Sequence, residues 1–335
     1  MNMLNATNLF KRTMSLSHLL QDMIPLKPSG VSADADNPGT ALQDTVMDTV
    51  IHGVKSDSRQ VQPGVLFLAL RGENHHGMDF FPAVAKAGAA AVLCEQPCAA
   101  ELPAHDNCPV IPVVNLRQYI TLLADRFYDF PSKHLQLIGI TGTDGKTSCA
   151  HFIAQSLSGL ASDTASDTAS DTVSDTVSEI AAANGEAATS RGTGTAVCGI
   201  IGTLGYGLYN QPMRDSSHTT PDAVTLRYWL AELRAAGARY VTLEVSSHAL
   251  AQGRVDGLDF AVAVFTNLTR DHLDYHGDHH AYASAKQRLF FDCKPAKSVL
   301  NTDDPMGRQW AAQLGGQAYH YSLGRPLQGE NAGYV

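Results

Sequence analysis

The 335-residue sequence lacks the features of a nucleic-acid-binding or membrane-embedded protein. Lysine and arginine number 24 against 33 aspartates and glutamates, giving a formal net charge of −9. The chain therefore offers no large basic field for nucleic acid or for an anionic membrane surface. No stretch approaches the roughly 20 apolar residues that a membrane span needs. Any phosphate-bearing partner must be held by a local site, which a small nucleotide would fit.

The sequence also has little that would indicate secretion or a metal cage. Its first residues contain no uninterrupted apolar segment and no small-residue cleavage site, which argues against a secretory signal. The six cysteines are scattered without the paired spacing of a zinc site. We therefore expect reduced thiols and a cytoplasmic protein. What is present is 44% hydrophobic and 17% charged residues, an ordinary composition for two or three globular domains.

Short apolar runs alternate with helix-like segments and divide the chain into two units. Residues 1–44 form an extension and the start of the first domain, and residues 45–132 carry the runs VLFLAL, AAVLCE and VIPVV. Residues 133–335 carry LQLIGIT, AVCGIIGT, RYVTLEV, DFAVAVFTNL and KSVLNT. Five such strands separated by helices predict a mostly parallel sheet covered on both faces. The fold class is therefore α/β, with a small first domain before a larger central one.

A low-complexity insertion interrupts the second unit at residues 162–195. It begins SDTASDTASDTVSDTVSE, a period-four repeat of aspartates. Aspartates at this spacing repel one another in a helix. We interpret the segment as a tolerated surface loop, with a phosphoacceptor or calcium-binding tract as the alternative.

The most informative segment is IGITGTDGKTSCAHFIAQSL, in which an apolar strand runs into a glycine-rich turn and then a helix. A phosphate site needs this context, because exposed N–H groups and a helix start favour anions. Gly142 and Gly145 let the backbone approach a phosphate, Lys146 reaches the terminal phosphates, and the Thr147 hydroxyl can bind Mg²⁺. The general G-x-x-x-x-G-K-[ST] pattern is missed, because Ile140 stands at its first glycine. The pattern alone leaves a nucleotide site and a chance glycine-rich turn open.

Polar side chains follow two further predicted strands, at the sheet edge where the phosphate loop also lies. Glu244 stands at the end of the strand in RYVTLEV, and the next strand ends in a cluster of Asn267, Asp271, His272, Asp274 and His276. A carboxylate and an imidazole at this edge can hold Mg²⁺ between phosphoryl oxygens. Glu244 is alternatively a helix-cap or surface acid. By composition, His276, His279 and His280 form a solvated turn, and Lys286 is a solvent-facing helix lysine.

Several segments in fixed order resemble the Mur ligases. TGTDGKT is similar to the phosphate loop T-G-T-N-G-K-T of Mur ligases and folylpolyglutamate synthetases, with Asp144 at the usual asparagine. That carboxylate is expected to weaken ATP binding through repulsion, unless it points away from the phosphates or shares the metal. EVSSHAL, TNLTRDHLDYHG and AYxxAK follow in the order and spacing of Mur ligases that accept a UDP-muramoyl dipeptide. The resemblance implies a UDP-binding first domain and a central P-loop ATPase-like domain.

The resemblance also assigns roles residue by residue. For ATP it nominates Gly142, Thr143, Asp144, Gly145, Lys146, Thr147, Ser148 and Asn301. For magnesium it nominates Thr147, Glu244, His272 and Lys286. The catalytic set is Lys146, Glu244, His272 and Lys286, with Lys286 carbamylated by CO₂ into a carboxylate-like ligand of a second Mg²⁺.

The substrate side of the resemblance begins in VKSDSRQVQPGVLFLALRGENHHG. An S-D-S-R tetrapeptide by itself is only a turn, although Arg59 adds a donor for a diphosphate. The planar fork of Arg254 suits a carboxylate. For the UDP-muramoyl peptide the resemblance nominates Ser56, Ser58, Glu73, Asn74, His75, His218, Thr219, Thr220, Ser246, Gln252 and Arg254.

The implied activity is ATP-dependent amide ligation through an acyl phosphate. The substrates would be UDP-N-acetylmuramoyl-L-alanyl-D-glutamate and an amino acid, with meso-diaminopimelate favoured over L-lysine. The family normally continues into a Rossmann-like C-terminal domain that this sequence does not contain. We therefore expect this chain to bind the muramoyl dipeptide but to ligate poorly or not at all. We also expect a monomer without nucleic-acid or membrane partners.

Two other functions compete with this one. A folylpolyglutamate synthetase shares the phosphate loop and the mechanism but would lack the unit that contains SDSRQVQPGVLF. A nucleotide-binding module without catalysis is the alternative from another class. A simple phosphate-loop kinase or GTPase predicts neither EVSSH nor DHLDYH at the strand ends.

Overall fold

The computed structural model describes residues 11–22, 46–72, 75–98, 108–163 and 197–323. The chain divides into two compact units, Met1–Pro131 with Ala223–Glu232, and Ser132–Asp222 with Leu233–Val335. This division differs from the expected domain limits in placing Ala223–Glu232 in the first unit. The predicted insertion at 162–195 lies outside the described residues, apart from its first two positions, which end a helix.

The first unit is built on a four-stranded parallel sheet. Its strands and α-helices, numbered along the chain, are β1 (Met14–Ser15), α1 (Leu16–Leu20), β2 (Val50–Ile51), β3 (Gly53–Lys55), β4 (Val65–Ala69), α2 (Phe81–Lys86), β5 (Ala91–Glu95), β6 (Val110–Val113) and α3 (Ile120–Phe127). Strands β3 to β6 pair in chain order and in parallel, while β1 and β2 form a separate antiparallel pair. Short 3-10 turns lie at Ser58–Gln60, Gly77–Phe80 and Leu116–Tyr119.

Strand β4 explains why helices lie on both faces of this sheet. All of its residues are buried, which is typical of a parallel strand covered on two sides. Leu66 and Leu68 pack with Phe127 of α3, whereas Phe67 packs with Phe81 of α2. Because neighbouring residues of a strand point to opposite faces, α2 and α3 cover opposite faces of the sheet.

A helical segment from later in the chain completes the core of the first unit. Val224 and Ala231, from Ala223–Glu232, join the hydrophobic cluster that contains α3. Arg227 is fully buried and donates from Nε to Asp125 Oδ1 over 3.0 Å and from Nη2 to Oδ2 over 3.2 Å. This bidentate ion pair gives each of the two buried charges a partner.

The second unit contains a seven-stranded sheet in the order β13-β12-β11-β7-β10-β8-β9. Its elements are β7 (Gln136–Thr141), α4 (Lys146–Asp163), β8 (Val197–Gly202), β9 (Gly205–Leu208), α5 (Ala223–Ala235, of which the last three residues belong here), β10 (Ala238–Glu244), α6 (Ser247–Ala251), β11 (Phe260–Phe265), α7 (Leu273–His276), α8 (His279–Phe291), β12 (Lys297–Asn301), α9 (Pro305–Leu314) and β13 (Ala318–Tyr321). All neighbouring strands pair in parallel except β8 and β9, which form an antiparallel hairpin.

The mostly parallel sheet predicted from the sequence is confirmed, but five is the wrong number of strands. The expected strands are β7, β8, β10, β11 and β12. The sequence analysis missed β9 (GYGL) and β13 (AYHY) at the two sheet edges. Each has only four residues and no long apolar run, so neither gives a strand signal of its own.

Helices α4 and α8 cover opposite faces of the second sheet. Ile138 and Ile140 of β7 pack with Ala150 of α4. Gly139 points the other way, and a Cβ built on it would lie 3.4 Å from Leu289 of α8. Among the described residues, no helix is both long enough and apolar enough to cross a membrane.

Candidate functional site

The loop between β7 and α4 lies at a shared sheet edge, because β10 and β11 are the neighbours of β7 and end beside it. Gly142 (φ +152°) and Gly145 (φ +79°) both have positive φ. A Cβ on Gly142 would lie 1.8 Å from Thr266 Oγ1, so packing excludes any side chain there. A Cβ on Gly145 would meet nothing within 4 Å. That glycine leaves space in front of the first N–H groups of α4, where a helix favours an anion.

The residues that follow β11 hold this loop in place. Asn267 accepts from the Asp144 N–H at Oδ1 and from the Thr143 N–H at its carbonyl oxygen, each over 2.9 Å. Thr266 donates its hydroxyl to the Asp144 carbonyl over 2.7 Å. The Asp144 residue is exposed. The carboxylate at the family's usual asparagine position is therefore solvated rather than packed under the loop.

Two lysines donate to the same loop carbonyl. Lys146 Nζ donates to the Gly142 carbonyl over 2.9 Å and to the Thr143 carbonyl over 2.8 Å, and Lys286 Nζ from α8 donates to Gly142 over 2.8 Å. Lys286 is only 1% exposed, so the prediction of a solvent-facing lysine is wrong. Burial, followed by the charge of Lys146, lowers the pKa of Lys286 to about 7. Burial also lowers the pKa of Lys146, against the raising effect of Glu244.

Glu244 is buried at the end of β10, so it is not a surface acid. Its Oε2 accepts from the Thr147 hydroxyl over 2.9 Å and from the Thr203 hydroxyl over 3.2 Å, and its Oε1 accepts from the Thr203 N–H over 3.0 Å. Thr147 and Glu244 together offer two hard oxygen ligands. Mg²⁺ typically takes one or two such protein ligands beside phosphate oxygens and water, so these residues fit the ion.

His272, the predicted imidazole ligand, lies among aromatic rings. Its ring centroid is 4.8 Å from that of His248 and 6.2 Å from that of Tyr282. Its Nε2 lies 3.4 Å from Asp271 Oδ2. Among the described residues, no group of three or more His, Cys, Asp or Glu side chains is arranged to hold a metal ion. The assignment of His272 to magnesium therefore stays a prediction.

The sequence predicted that His276 lies in a solvated turn, but the structure places it otherwise. It is half-buried, and its Nε2 lies 3.0 Å from Ser247 Oγ. Burial, followed by the charge of Lys286, lowers its pKa. His279 and His280 are exposed at the start of α8.

The residues assigned to the muramoyl peptide in the second unit surround the end of β10. The Thr220 hydroxyl donates to the Glu244 carbonyl over 2.7 Å and accepts from the Ser246 N–H over 3.0 Å. Thr219 Oγ1 lies 3.0 Å from Thr203 Oγ1. The predicted peptide contacts and the predicted metal carboxylate are therefore joined by hydrogen bonds.

Arg254, assigned to a substrate carboxylate, has several partners within the second unit. Its Nη1 donates to the Thr220 carbonyl over 2.6 Å, and its Nε and Nη2 donate to Gln252 Oε1 over 2.9 and 2.6 Å. Gln252 and His218 are exposed. The guanidinium fork is thus held at the edge of the site by a neighbouring nominated residue.

The remaining nominated ATP ligands lie at the two sides of the loop. Ser148 is exposed in the first turn of α4. Asn301 ends β12, where its Nδ2 donates to the Thr266 carbonyl over 2.7 Å and its Oδ1 accepts from the Asp303 N–H over 2.9 Å. Asn301 therefore ties the end of β12 to the residue that supports the phosphate loop.

In the first unit, Ser56 and Ser58 follow β3 at the carboxyl edge of the parallel sheet, and both are half-buried. Asp57 accepts from the Arg59 N–H over 3.0 Å and from its guanidinium over 2.7 to 3.2 Å. The hydrogen bond from the Arg59 side chain lowers the pKa of Asp57. The guanidinium expected to face a diphosphate is therefore paired with Asp57.

The neighbouring loop of the first unit is described only in part. His75 is exposed, and its Nδ1 lies 3.7 Å from Asp79 Oδ2. Glu73 and Asn74 lie outside the described residues.

Sequence analysis missed Thr203, which contacts Glu244 with both its N–H and its hydroxyl. A signal for it exists, because Thr203 directly follows the apolar strand β8. The rule that nominated Glu244, polar residues at the carboxyl ends of parallel strands, would have nominated Thr203 as well.

Two family models match the chain. The Mur ligase middle domain matches residues 172–331, and the catalytic domain of the Mur ligase family matches residues 50–128. The chain is 43% identical over 264 residues to the UDP-N-acetylmuramoyl-L-alanyl-D-glutamate–2,6-diaminopimelate ligase of Chromobacterium violaceum, covering 79% of this chain and 46% of that protein. The ligase of the same name from Pseudomonas aeruginosa is 43% identical over 266 residues, with 79% and 47% covered. The chain spans about half the length of the curated relatives it matches.

Solved structures of Mur ligases also match this chain in fold. A structure of a UDP-N-acetylmuramoyl-L-alanyl-D-glutamate–2,6-diaminopimelate ligase matches with a TM-score of 0.58 and 28% identity, covering 94% of this chain and 53% of the other. A UDP-N-acetylmuramoylalanyl-D-glutamyl-2,6-diaminopimelate–D-alanyl-D-alanyl ligase from Acinetobacter baumannii matches with a TM-score of 0.51 and 18% identity, covering 82% and 49%. The second match shows the fold alone. The predicted α/β fold class is confirmed.

Proposed function

Because the chain belongs to the Mur ligase family, we propose that it acts in the cytoplasm as an ATP-dependent amide ligase of peptidoglycan precursor synthesis. We assign it UDP-N-acetylmuramoyl-L-alanyl-D-glutamate as acceptor and meso-diaminopimelate as the incoming amino acid, as in the names of its 43% identical relatives. L-Lysine is the alternative amino acid. The observation that carries the proposal is the presence of the phosphate loop, the Thr147–Glu244 oxygen pair and buried Lys286 at one sheet edge.

The reaction must bring two anions together. An oxygen of the D-glutamate side-chain carboxylate attacks the γ-phosphorus of ATP, giving an acyl phosphate and ADP. The amine of the incoming amino acid then attacks the acyl carbon, phosphate leaves, and the amine loses a proton. Lys146, at the start of α4, offsets charge on the terminal phosphates. The protein's own contribution is positioning and charge neutralisation.

Thr147 and Glu244 are the residues that would hold magnesium, with His272 as a further ligand. When bound, the ion offsets phosphate charge and orients the phosphoryl oxygens. Thr147 lies in the first turn of α4 and its hydroxyl donates to Glu244, so the two oxygens lie side by side at the start of that helix.

Lys286 is suited to carbamylation. Its pKa of about 7 makes a large fraction of the amine neutral at neutral pH, and only the neutral amine attacks CO₂. The ammonium group first loses one proton, and the neutral amine then forms the N–C bond with CO₂ and loses a second proton. The two losses convert a cation into a carbamate anion. An anion at this position is attracted to Lys146, whose charge opposes a protonated Lys286.

Carbamylation is testable without an activity assay. In ¹³C-bicarbonate the chain should give a protein-bound carbamate signal in ¹³C NMR, and Lys286→Met should lose it. Lys86→Met, which replaces an exposed lysine, is the matched control and should keep the signal. A carbamate signal that persists in Lys286→Met would refute the assignment.

Calorimetric titration of the full chain tests the proposed function. UDP-N-acetylmuramoyl-L-alanyl-D-glutamate, UDP and ATP with Mg²⁺ are the separate titrants. Saturable binding of the muramoyl dipeptide and of ATP supports the ligase, and Lys146→Met should lose ATP binding while Lys86→Met retains it. Binding of ATP alone points to a nucleotide-binding module. Competition by folate but not by the muramoyl dipeptide points to a folylpolyglutamate synthetase.

A further inference from the structure

We propose that Thr203 is a positioning residue that couples the turn containing Thr219 to the carboxylate of Glu244. The inference rests on the proposed function, which assigns Glu244 to magnesium and Thr219 to the muramoyl peptide. Thr203 lies outside the set of residues nominated from the sequence. It is exposed, so it sits at the open side of the site rather than in the core.

The turn at the end of β8, where Gly202 and Thr203 lie, binds and packs against the Glu244 carboxylate. Thr203 donates its N–H to Oε1 over 3.0 Å and its hydroxyl to Oε2 over 3.2 Å, so one residue contacts both oxygens. A Cβ on Gly202 would lie 2.1 Å from Oε1, which means that the carboxylate packs directly against the backbone of the turn. The turn therefore fixes the direction in which Glu244 presents its oxygens to a cation.

The direction of the hydrogen bonds follows from the chemistry of the groups. An ionised carboxylate only accepts, so the single hydroxyl proton of Thr203 goes to Glu244. Thr203 Oγ1 lies 3.0 Å from Thr219 Oγ1. Since Thr203 has no second hydroxyl proton, Thr219 must be the donor of that bond. The order is Thr219 to Thr203 to Glu244.

The backbone makes this connection short and stiff. Beyond the turn, Tyr206 of β9 exchanges two backbone hydrogen bonds with Arg214, of 2.9 and 2.8 Å. A Cβ on Gly205 would lie 2.2 Å from the Arg214 carbonyl oxygen, so the two chain segments are in close backbone contact. A substrate group that draws the hydroxyl proton of Thr219 away therefore changes the environment of Thr203, and through it the magnesium carboxylate.

The test compares three variants of the full chain. Thr203→Val removes the hydroxyl but keeps the N–H and the side-chain shape, and Thr203→Ser keeps the hydroxyl. Thr242→Val is the matched control, because it removes a buried strand hydroxyl that points to the Gly199 carbonyl, 3.4 Å away. Calorimetry measures the affinity for ATP with Mg²⁺ and for ADP in the presence of a chelator.

Thr203→Val should weaken binding of ATP with Mg²⁺ by roughly tenfold or more, because it removes one hydrogen bond to a charged group. Metal-free ADP binding should not change, and Thr203→Ser should restore the wild-type affinity. Thr242→Val should behave as the wild type. Equal losses for both nucleotides, or a serine variant that does not recover, would mean that Thr203 acts only on the fold and would overturn the inference.

Gly202→Ala provides a second route if Thr203→Val does not fold. Its Cβ would displace the carboxylate while the Thr203 hydroxyl remains, so the magnesium-dependent part of ATP affinity should again fall. Wild-type behaviour of Gly202→Ala would overturn the inference. A wild-type chain that binds no nucleotide overturns the proposed function and this inference together. A wild-type chain that binds ATP, with Thr203→Val unchanged, overturns this inference alone.

Discussion

Lys286 gives the folded chain a pH dependence that methionine at this position should remove. The amine is 1% exposed, and its pKa falls from 10.5 to about 7 on folding. Between these values the unfolded chain binds a proton that the folded chain does not, so stability rises with pH. Below about pH 7 the Lys286 amine is protonated in both the folded and the unfolded chain, so it no longer makes the free energy of unfolding change with pH. From pH 7 to pH 9 the free energy of unfolding of the wild type should rise by roughly 2–3 kcal/mol relative to that of Lys286→Met, at ~1.4 kcal/mol per pH unit.

Methionine suits this experiment because it keeps the length of the side chain without the charge. The Gly142 carbonyl retains a donor in the variant, since Lys146 also donates to it over 2.9 Å. The charges that act on Lys286 are those of Lys146, Asp271 and Asp144, and all three remain.

The assay is urea unfolding in CO₂-free buffer at pH 7, 8 and 9. Subtracting the free energy of unfolding of Lys286→Met from that of the wild type cancels the titration of groups that both chains share. The exposed Lys86→Met serves as control, and its difference from the wild type should stay constant with pH. A wild-type minus Lys286→Met difference that does not change from pH 7 to pH 9 would refute the buried-amine account.

Two further predictions concern the core of the first unit and the phosphate loop. Arg227→Met should lower the free energy of unfolding by about 3–5 kcal/mol, because it removes the guanidinium charge that pairs with the buried Asp125 carboxylate. The double variant with Asp125→Leu should recover most of this loss in urea unfolding. Gly142→Ala should abolish calorimetric ATP binding, because its Cβ would overlap Thr266 Oγ1. Gly145→Ala should lower the free energy of unfolding by ~1–3 kcal/mol because of its positive φ, and its Cβ would also narrow the space in front of the first N–H groups of α4. Nucleotide binding by Gly142→Ala with wild-type affinity would contradict the packing argument.

The long apolar strands of the second unit were predictable because each carries a strand signal within its own sequence. Strands β9 and β13 carry none, since four residues such as GYGL form a strand only when a neighbour supplies the hydrogen bonds. The membership of Ala223–Glu232 in the first unit was not predictable either. Its helical periodicity was readable, but the core that it joins depends on packing with residues roughly a hundred positions earlier.

For the candidate site, the sequence indicated the sheet edge at which the side chains lie, but not their burial or their contacts with one another. Glu244 and Asn267 were predicted at the strand ends, and the structure places them beside the phosphate loop. The burial of Lys286 was not predictable from α8 alone, because it depends on the approach of that helix to the Gly142 carbonyl. Thr203 was not predicted because an exposed threonine in a turn has little to distinguish it in the sequence. Its role depends on the contact with Glu244, which only the structure shows.

The placement of Ala223–Glu232 also limits how the gene for this protein can be divided. The chain passes from one unit to the other after Pro131, after Asp222 and after Glu232. An expression clone that begins at residue 132 would carry Val224 and Ala231 without the core they fill, and its complement would leave Asp125 without Arg227. Recombination between related genes would need three matched junctions to exchange either unit intact. Single crossovers should therefore yield misfolded chimeras, which favours inheritance of the two units as one block.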